Sequence, residues 1–196
     1  MQGFAKTWRQ LCSICRIIHD TAMSETLVTR EAQAQAQVLT SPAPFGLIAC
    51  TTASGCDNLT AVSWWTYLSN RPPMLAVSLS QHSFSRDCIK QNREFTLSVV
   101  DQSLAQAALQ CGKYSGRTVD KVKKFQIEMT QSMLVKPGFV SKSRVSFECR
   151  VIKDMQTGDH TLFVAEILQI HTDLSCCALY AVNGYRSLAP VEFPDV

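Results

Sequence analysis

Long apolar runs are missing from this 196-residue chain, and none approaches the roughly 20 residues that a membrane-spanning helix needs. Charge of one sign is not massed either. The 19 Lys and Arg against 16 Asp and Glu leave a net charge of +3, and no basic block interleaved with aromatics offers a nucleic-acid surface. No Gly-x-Gly-x-x-Gly fingerprint marks a dinucleotide site, and no internal repeat or low-complexity linker divides the chain. The nine cysteines, at positions 12, 15, 50, 56, 88, 111, 149, 176 and 177, form an odd, irregular set without the paired spacing of a zinc ribbon. No metal site is expected from them, and reduced thiols in a cytoplasmic protein are the default. Cys12 and Cys15 have CxxC spacing but lack a surrounding βαβ pattern, which counts against a redox dithiol.

What is present suits one domain with a substantial core: 46% of residues are apolar and 18% charged. Residues 1–22 stand apart as a leader. Phe4, Trp8, Leu11, Ile14, Ile17 and Ile18 recur at near-helical spacing beside Lys6, Arg9 and Arg16, with no acid until Asp20. Arg16 interrupts the apolar stretch, so it makes a poor secretory signal. A start at Met23, or a helix packing on the domain, is favoured over a transit-like or membrane-surface helix. The domain itself is expected over 23–196. Glu31 to Val38 alternates like a strand but has helix propensity, and both readings stand.

Beyond that point the pattern is mostly strand. Phe45–Thr52, Ala61–Leu68, Met74–Leu79, Phe95–Val100, Val145–Ile152 and Thr161–Ile170 carry the β-branched and aromatic residues of half-buried or buried strands, with a short last strand at Leu179–Val182. Helical pieces are expected after Ser85, over Leu104–Cys111 and around Val119–Phe125. About six antiparallel strands with few helices favour a barrel, because closure removes exposed edges.

The run from Asn58 to Ser85 is the most informative. It holds Asn58, Thr60 and Ser63, then Trp64 and Trp65, then a Pro72-Pro73 break, then an apolar strand ending in hydroxyls. Alternation along a strand sends Trp64 and Trp65 to opposite faces, so one packs in a core while the other borders a cleft or a partner. Ser83 or Ser85 can cap the following helix, whose first amides favour phosphate, although capping serines are common without any ligand. On residue chemistry alone, Trp64 reads as core, Lys121 (followed by Lys123 and Lys124) as a solvated lysine, and His160 as an exposed hairpin residue after Gly158-Asp159.

The ordered motifs change that balance. Ser54-Gly55 is followed by Asn58-x-Thr60-Ala61-x-Ser63-Trp64, the Asn70-x-Pro72-Pro73 turn and His82-Ser83. Further on come Gly112-Lys113-Tyr114-Ser115-Gly116-Arg117 with Val119-Asp120-Lys121-Val122, then Phe147-Glu148-Cys149-Arg150-Val151, then Gly158-Asp159-His160 before Phe163. In order and spacing the chain resembles, from about Pro42 to Pro190, the flavin reductase-like FMN-binding split-barrel family, of the flavoredoxin type. The resemblance implies a mainly β, antiparallel Greek-key split barrel with a few short helices, usually a homodimer with FMN near the subunit interface. It implies Asn58, Thr60 and Ala61 beside the flavin, Trp64 against its ring system, Ser83 and Ser85 at its phosphate, Lys121 and His160 as further contacts, and Phe193 as an aromatic closing over the site. The activity it implies is hydride or electron transfer through bound FMN, with NADH, NADPH or another redox protein as donor. A non-catalytic FMN electron carrier or flavin store is the alternative, and no catalytic side chain is singled out.

Overall fold

The computed structural model describes residues 28–191. They fall into two compact units that divide between Ala36 and Gln37. The first carries most of helix α1 (Arg30–Leu39), so helix propensity overrides the alternating period of EAQAQAQV.

In the second unit the strands are β1 (Ala43–Pro44), β2 (Gly46–Thr51), β3 (Asp57–Val62), β4 (Trp65–Asn70), β5 (Pro73–Ser80), β6 (Glu94–Val100), β7 (Met129–Thr130), β8 (Phe139–Val140), β9 (Ser143–Thr157), β10 (His160–Thr172), β11 (Leu179–Ala181) and β12 (Leu188–Pro190). The helices are α2 (Phe84–Asn92), α3 (Ala105–Lys113) and α4 (Lys121–Lys124), with a 3-10 turn at Gln102–Leu104. The helix expected over Val119–Phe125 is thus a single turn, capped by the Asp120 carboxylate on the Lys123 amide.

Seven strands form one antiparallel sheet in the order β3-β2-β6-β9-β10-β5-β4. Its two edges, β3 and β4, are consecutive in the chain and separated only by Ser63 and Trp64. That connection requires the sheet to curl until its edges approach, and the Ser78 amide, donating to the Trp64 carbonyl at 2.8 Å, extends the β4–β5 ladder up to the seam. The result is the expected split barrel, with a seam at Ser63-Trp64. The single strand expected over Ala61–Leu68 is corrected here: it is two strands, and the seam breaks it.

The burial pattern follows from the closure. Strand β2 is buried on both faces, which is why its sequence reads as a continuous apolar run. Ile48 turns inward with Leu75, Val77, Phe95, Leu97, Phe147 and Phe163 to fill the barrel. Leu47 and Ala49 turn outward, where Phe45, Leu59, Val100, Ala108, Cys111 and Leu179 cover them. Each fully buried Phe or Leu stabilises by about 1.5–3 kcal/mol. The long β9–β10 hairpin turns at Gly158, whose φ of 60° suits glycine, and sets His160 opposite Ser80 of β5. Among the described residues no helix is long and apolar enough to cross a membrane.

Candidate functional site

A cavity of about 430 Å³ lies at the barrel seam. Its walls come from the end of β3 with the seam residues, the end of β5, the turn into α2, the segment from α3 to α4, and the start of β10. A topology that brings together the two sheet edges and three helix ends leaves this gap unfilled by core side chains.

One wall is aromatic. Trp64 is 37% exposed, and its ring meets the His160 ring with centroids 4.7 Å apart and planes tilted by 35°. The His160 Nδ1 is 2.6 Å from the Asp159 carboxylate, which holds the imidazole in place. Trp65 turns the other way, edge-on to Tyr67 and near Phe147, packing partly buried against the barrel core. The opposite-face expectation therefore holds, and Trp64 as simple core does not.

A second wall is polar. Ser83 is the N-cap of α2 by its backbone, yet its hydroxyl makes no capping hydrogen bond, so the hydroxyl and the first-turn amides remain uncommitted within the helix. Ser85, 1% exposed, lines the cavity and accepts a 2.8 Å hydrogen bond from the Asn58 Nδ2. Asn58 itself stands behind this wall, with Thr60 and Ala61 at the surface of the cavity. Its Oδ1 is buried without a partner, as is the hydroxyl of Ser63. Gly116 explains how closely the backbone approaches: a Cβ there would lie 1.9 Å from the Asn58 Oδ1 and 2.8 Å from Phe84.

Lys121 is the cation of the site, and it is not solvated. The side chain is 3% exposed, and its Nζ donates to the carbonyls of Leu59 at 2.6 Å and Cys111 at 2.9 Å. Burial lowers its pKa, while the nearby Cys111 and Cys50 thiols oppose the shift. Two of the three ammonium protons are committed, which leaves one for a ligand. Lys121 therefore pins α4 to β3 and α3 while it lines the cavity.

Sequence reasoning missed several lining residues. Ser63, Tyr114, Ser115 and Gly116 lay inside quoted motifs but were given no role, and Ser80 lay among the hydroxyls ending the apolar strand without being assigned one. Tyr185, whose phenol burial pushes up to about 12, reaches the cavity from the far end of the chain with no local signal. Phe193 and residues 1–22, for which roles were expected, lie outside the described residues. A more apolar hollow of about 470 Å³ beside Phe45, Trp65, Tyr67 and Tyr180 lacks the hydroxyls and helix terminus of the seam cavity. No metal-binding cluster of three or more His, Cys, Asp or Glu occurs among the described residues.

An uncharacterized protein of Archaeoglobus fulgidus is 33% identical over 113 residues, which is 58% of this chain and 64% of that one. The chain therefore matches just under two thirds of that relative's length. Among solved structures, the flavoredoxin of Desulfovibrio vulgaris (Miyazaki F) superposes with a TM-score of 0.72 at 23% identity, covering 80% of this chain and 91% of that one. An FMN-binding protein from Thermus thermophilus with bound 1-cyclohex-2-enone does so with a TM-score of 0.70 at 20% identity, covering 81% and 92%. At these identities the likeness is one of fold. Residues 39–189 match the flavin reductase like domain, and the chain belongs to that family.

Proposed function

We propose that the seam cavity holds FMN and that the protein is an oxidoreductase passing hydride or electrons through it. The observation that carries this reading is the meeting, in one cavity, of the Trp64–His160 wall, the Ser83–Ser85 turn at the start of α2, and the buried Lys121 ammonium. A volume of about 430 Å³ is within the usual range for cofactor sites. The unpartnered Ser63 hydroxyl and the uncommitted Ser83 hydroxyl fit a ligand rich in hydrogen-bonding groups.

Bound FMN would supply the hydride and electron chemistry, and the side chains position and tune it. Trp64 and His160 would flank the ring system, with Thr60 and Ala61 beside it. Ser83, Ser85 and the first amides of α2 would hold the phosphate. Lys121, fixed by two carbonyls, would offer positive charge to the reduced flavin without reorganising.

The donor is proposed to be NADH, NADPH or another redox protein. A second copy of the chain is the proposed partner, supported by Tyr67 and Leu68 standing 59% and 48% exposed on the edge strand β4. Titrating protein freed of flavin with FMN, and following the flavin band near ~450 nm, tests the cofactor. Failure to take up FMN overturns the proposal. Anaerobic addition of NADH or NADPH then separates the roles: rapid bleaching marks a reductase, and a stable band marks a carrier that needs a protein donor.

A further inference from the structure

The net charge of +3 is small, but the chain does not spread it evenly. The 12 residues from Lys113 to Lys124 hold five basic side chains, Lys113, Arg117, Lys121, Lys123 and Lys124, against Asp120 alone, a net of +4. Of the 19 basic and 16 acidic residues that leaves 14 and 15 elsewhere, a net of −1. The whole positive excess therefore lies in one segment, and that segment walls the seam cavity from the end of α3 to α4.

The fold sorts these cations. Lys121 turns inward to the Leu59 and Cys111 carbonyls, and Arg117 is engaged by Asp87 and by the Phe84 ring, over which its guanidinium carbon stands at 4.9 Å. Lys113, Lys123 and Lys124 are exposed, and among the described residues none of them is in a salt bridge. The carboxylate of Asp120, the one acid of the segment, accepts from the Lys123 amide as the cap of α4. Tyr114 stands among them, 41% exposed at the cavity. The Lys124 Nζ lies 4.2 Å from its ring centroid and the Phe125 ring packs 5.6 Å away, so the phenol ring is held in place while one part of it faces solvent. A fixed, exposed aromatic flanked by unpaired cations has the make-up of a protein-docking surface, in which the ring anchors and the charges steer.

We infer that this rim, formed by Lys113, Tyr114, Lys123 and Lys124, docks an acidic electron-carrier protein. Lys113 and Tyr114 line the cavity itself, so a protein seated on them meets the chain at the opening of the redox site, on the reading that the cavity holds FMN. A one-electron carrier docks twice: two carriers give up one electron each, and these, with two solvent protons, reduce one flavin. A nucleotide donor fits the rim less well. The sequence has no glycine-rich phosphate loop, and of the three free lysines only Lys113 lines the cavity, whereas a protein surface can engage all three.

The test mixes the purified full chain with a plant-type two-iron ferredoxin, a strongly acidic carrier, and joins touching amines and carboxylates with a water-soluble carbodiimide. Peptide mapping by mass spectrometry should find the cross-links at Lys113, Lys123 and Lys124, and about 0.5 M NaCl should abolish them. Cross-links gathered elsewhere, or equal in low and high salt, overturn the surface. Stopped-flow reduction of the FMN-loaded protein by the reduced ferredoxin then reads function. The triple variant Lys113→Glu, Lys123→Glu, Lys124→Glu should slow it at least about tenfold at low salt. A charge-matched variant, Lys136→Glu, Arg150→Glu, Lys153→Glu, alters β9 and the chain beside Glu94 of β6, away from the β3 edge, and should keep the parent rate. Equal slowing by the two variants overturns the docking surface, as does a rim variant that slows NADPH oxidation but not reduction by ferredoxin. If the protein takes up no FMN, the FMN reading fails alone, because the cross-links still decide where the acidic protein docks.

Discussion

Replacing Gly116 by Ala adds one methyl group at the tightest point of the site. The new Cβ would stand 1.9 Å from the Asn58 Oδ1, 2.6 Å from its Cγ and 2.8 Å from the Phe84 ring. Asn58 is 3% exposed and tied to Ser85, so its carboxamide has no free direction in which to retreat. Overpacking of this kind costs about 1–3 kcal/mol, and losing the Asn58–Ser85 hydrogen bond about 1 kcal/mol more, so a loss of about 2–4 kcal/mol is expected. The backbone at Gly116 is not left-handed, so the cost is purely steric. Gly112→Ala is the control: its Cβ meets only Ala61 at 3.3 Å inside α3, and helix propensity of up to about 1 kcal/mol offsets the contact. The decisive measurement is a double-mutant cycle by urea denaturation. In an Asn58→Ala background the two closest clashes are gone and only the Phe84 contact is left, so Gly116→Ala should then cost about 1–2 kcal/mol less than in the parent. Equal costs in the two backgrounds, or a Gly116→Ala protein as stable as the parent, would refute the steric account.

The remaining predictions address other contacts. Glu148 is fully buried. Burial alone would raise its pKa, but the Met133 amide, His171 and the Leu134 amide outweigh it and hold the carboxyl below its ordinary 4.5. Its contribution is therefore fully present above that value and lost as pH falls through the depressed folded value. Glu148→Gln should cost at least about 2 kcal/mol at neutral pH and flatten the acid limb of a stability–pH curve. An unchanged limb would show that Glu148 does not drive it. Lys121→Met leaves the Leu59 and Cys111 carbonyls unsatisfied, for an expected loss of about 2–5 kcal/mol in chemical denaturation. It should also weaken FMN binding or shift the reduction potential, and if both stay at the parent value the cofactor role is wrong. Trp64→Ala should cost under ~1 kcal/mol of stability but reduce FMN affinity about five- to tenfold in a fluorescence titration.

The strands were readable because closure of the barrel imposes strict burial on them, and the apolar runs of β2, β5 and β6 carry that directly. The break at Ser63-Trp64 was not readable. Nothing in the local sequence forbids a strand there, and the interruption comes from the sheet's two edges meeting. Ser83, Ser85, Trp64, Lys121 and His160 were placed by ordered motifs, since their residue types alone pointed to a capped helix, a core aromatic, a solvated lysine and a hairpin residue. The structure brings all five to one cavity and sets Asn58 one layer behind. Tyr185 left no trace, because its position depends on a contact spanning much of the chain.

The adjacent tryptophans divide two kinds of selective pressure between neighbouring codons. Trp65 packs partly buried against the barrel core, and truncating it to Ala would cost up to about 3 kcal/mol, a large share of what a domain of this size has to lose. Trp64 belongs to the cavity and touches almost none of that interior. Because the chain is anchored on both sides of the seam, residue 64 can change while the backbone beneath it stays fixed. Ligand preference is thus free to drift at position 64 without passing through unstable intermediates, and a library randomised there should yield folded proteins with altered ligands, whereas one randomised at 65 should yield mostly unfolded ones.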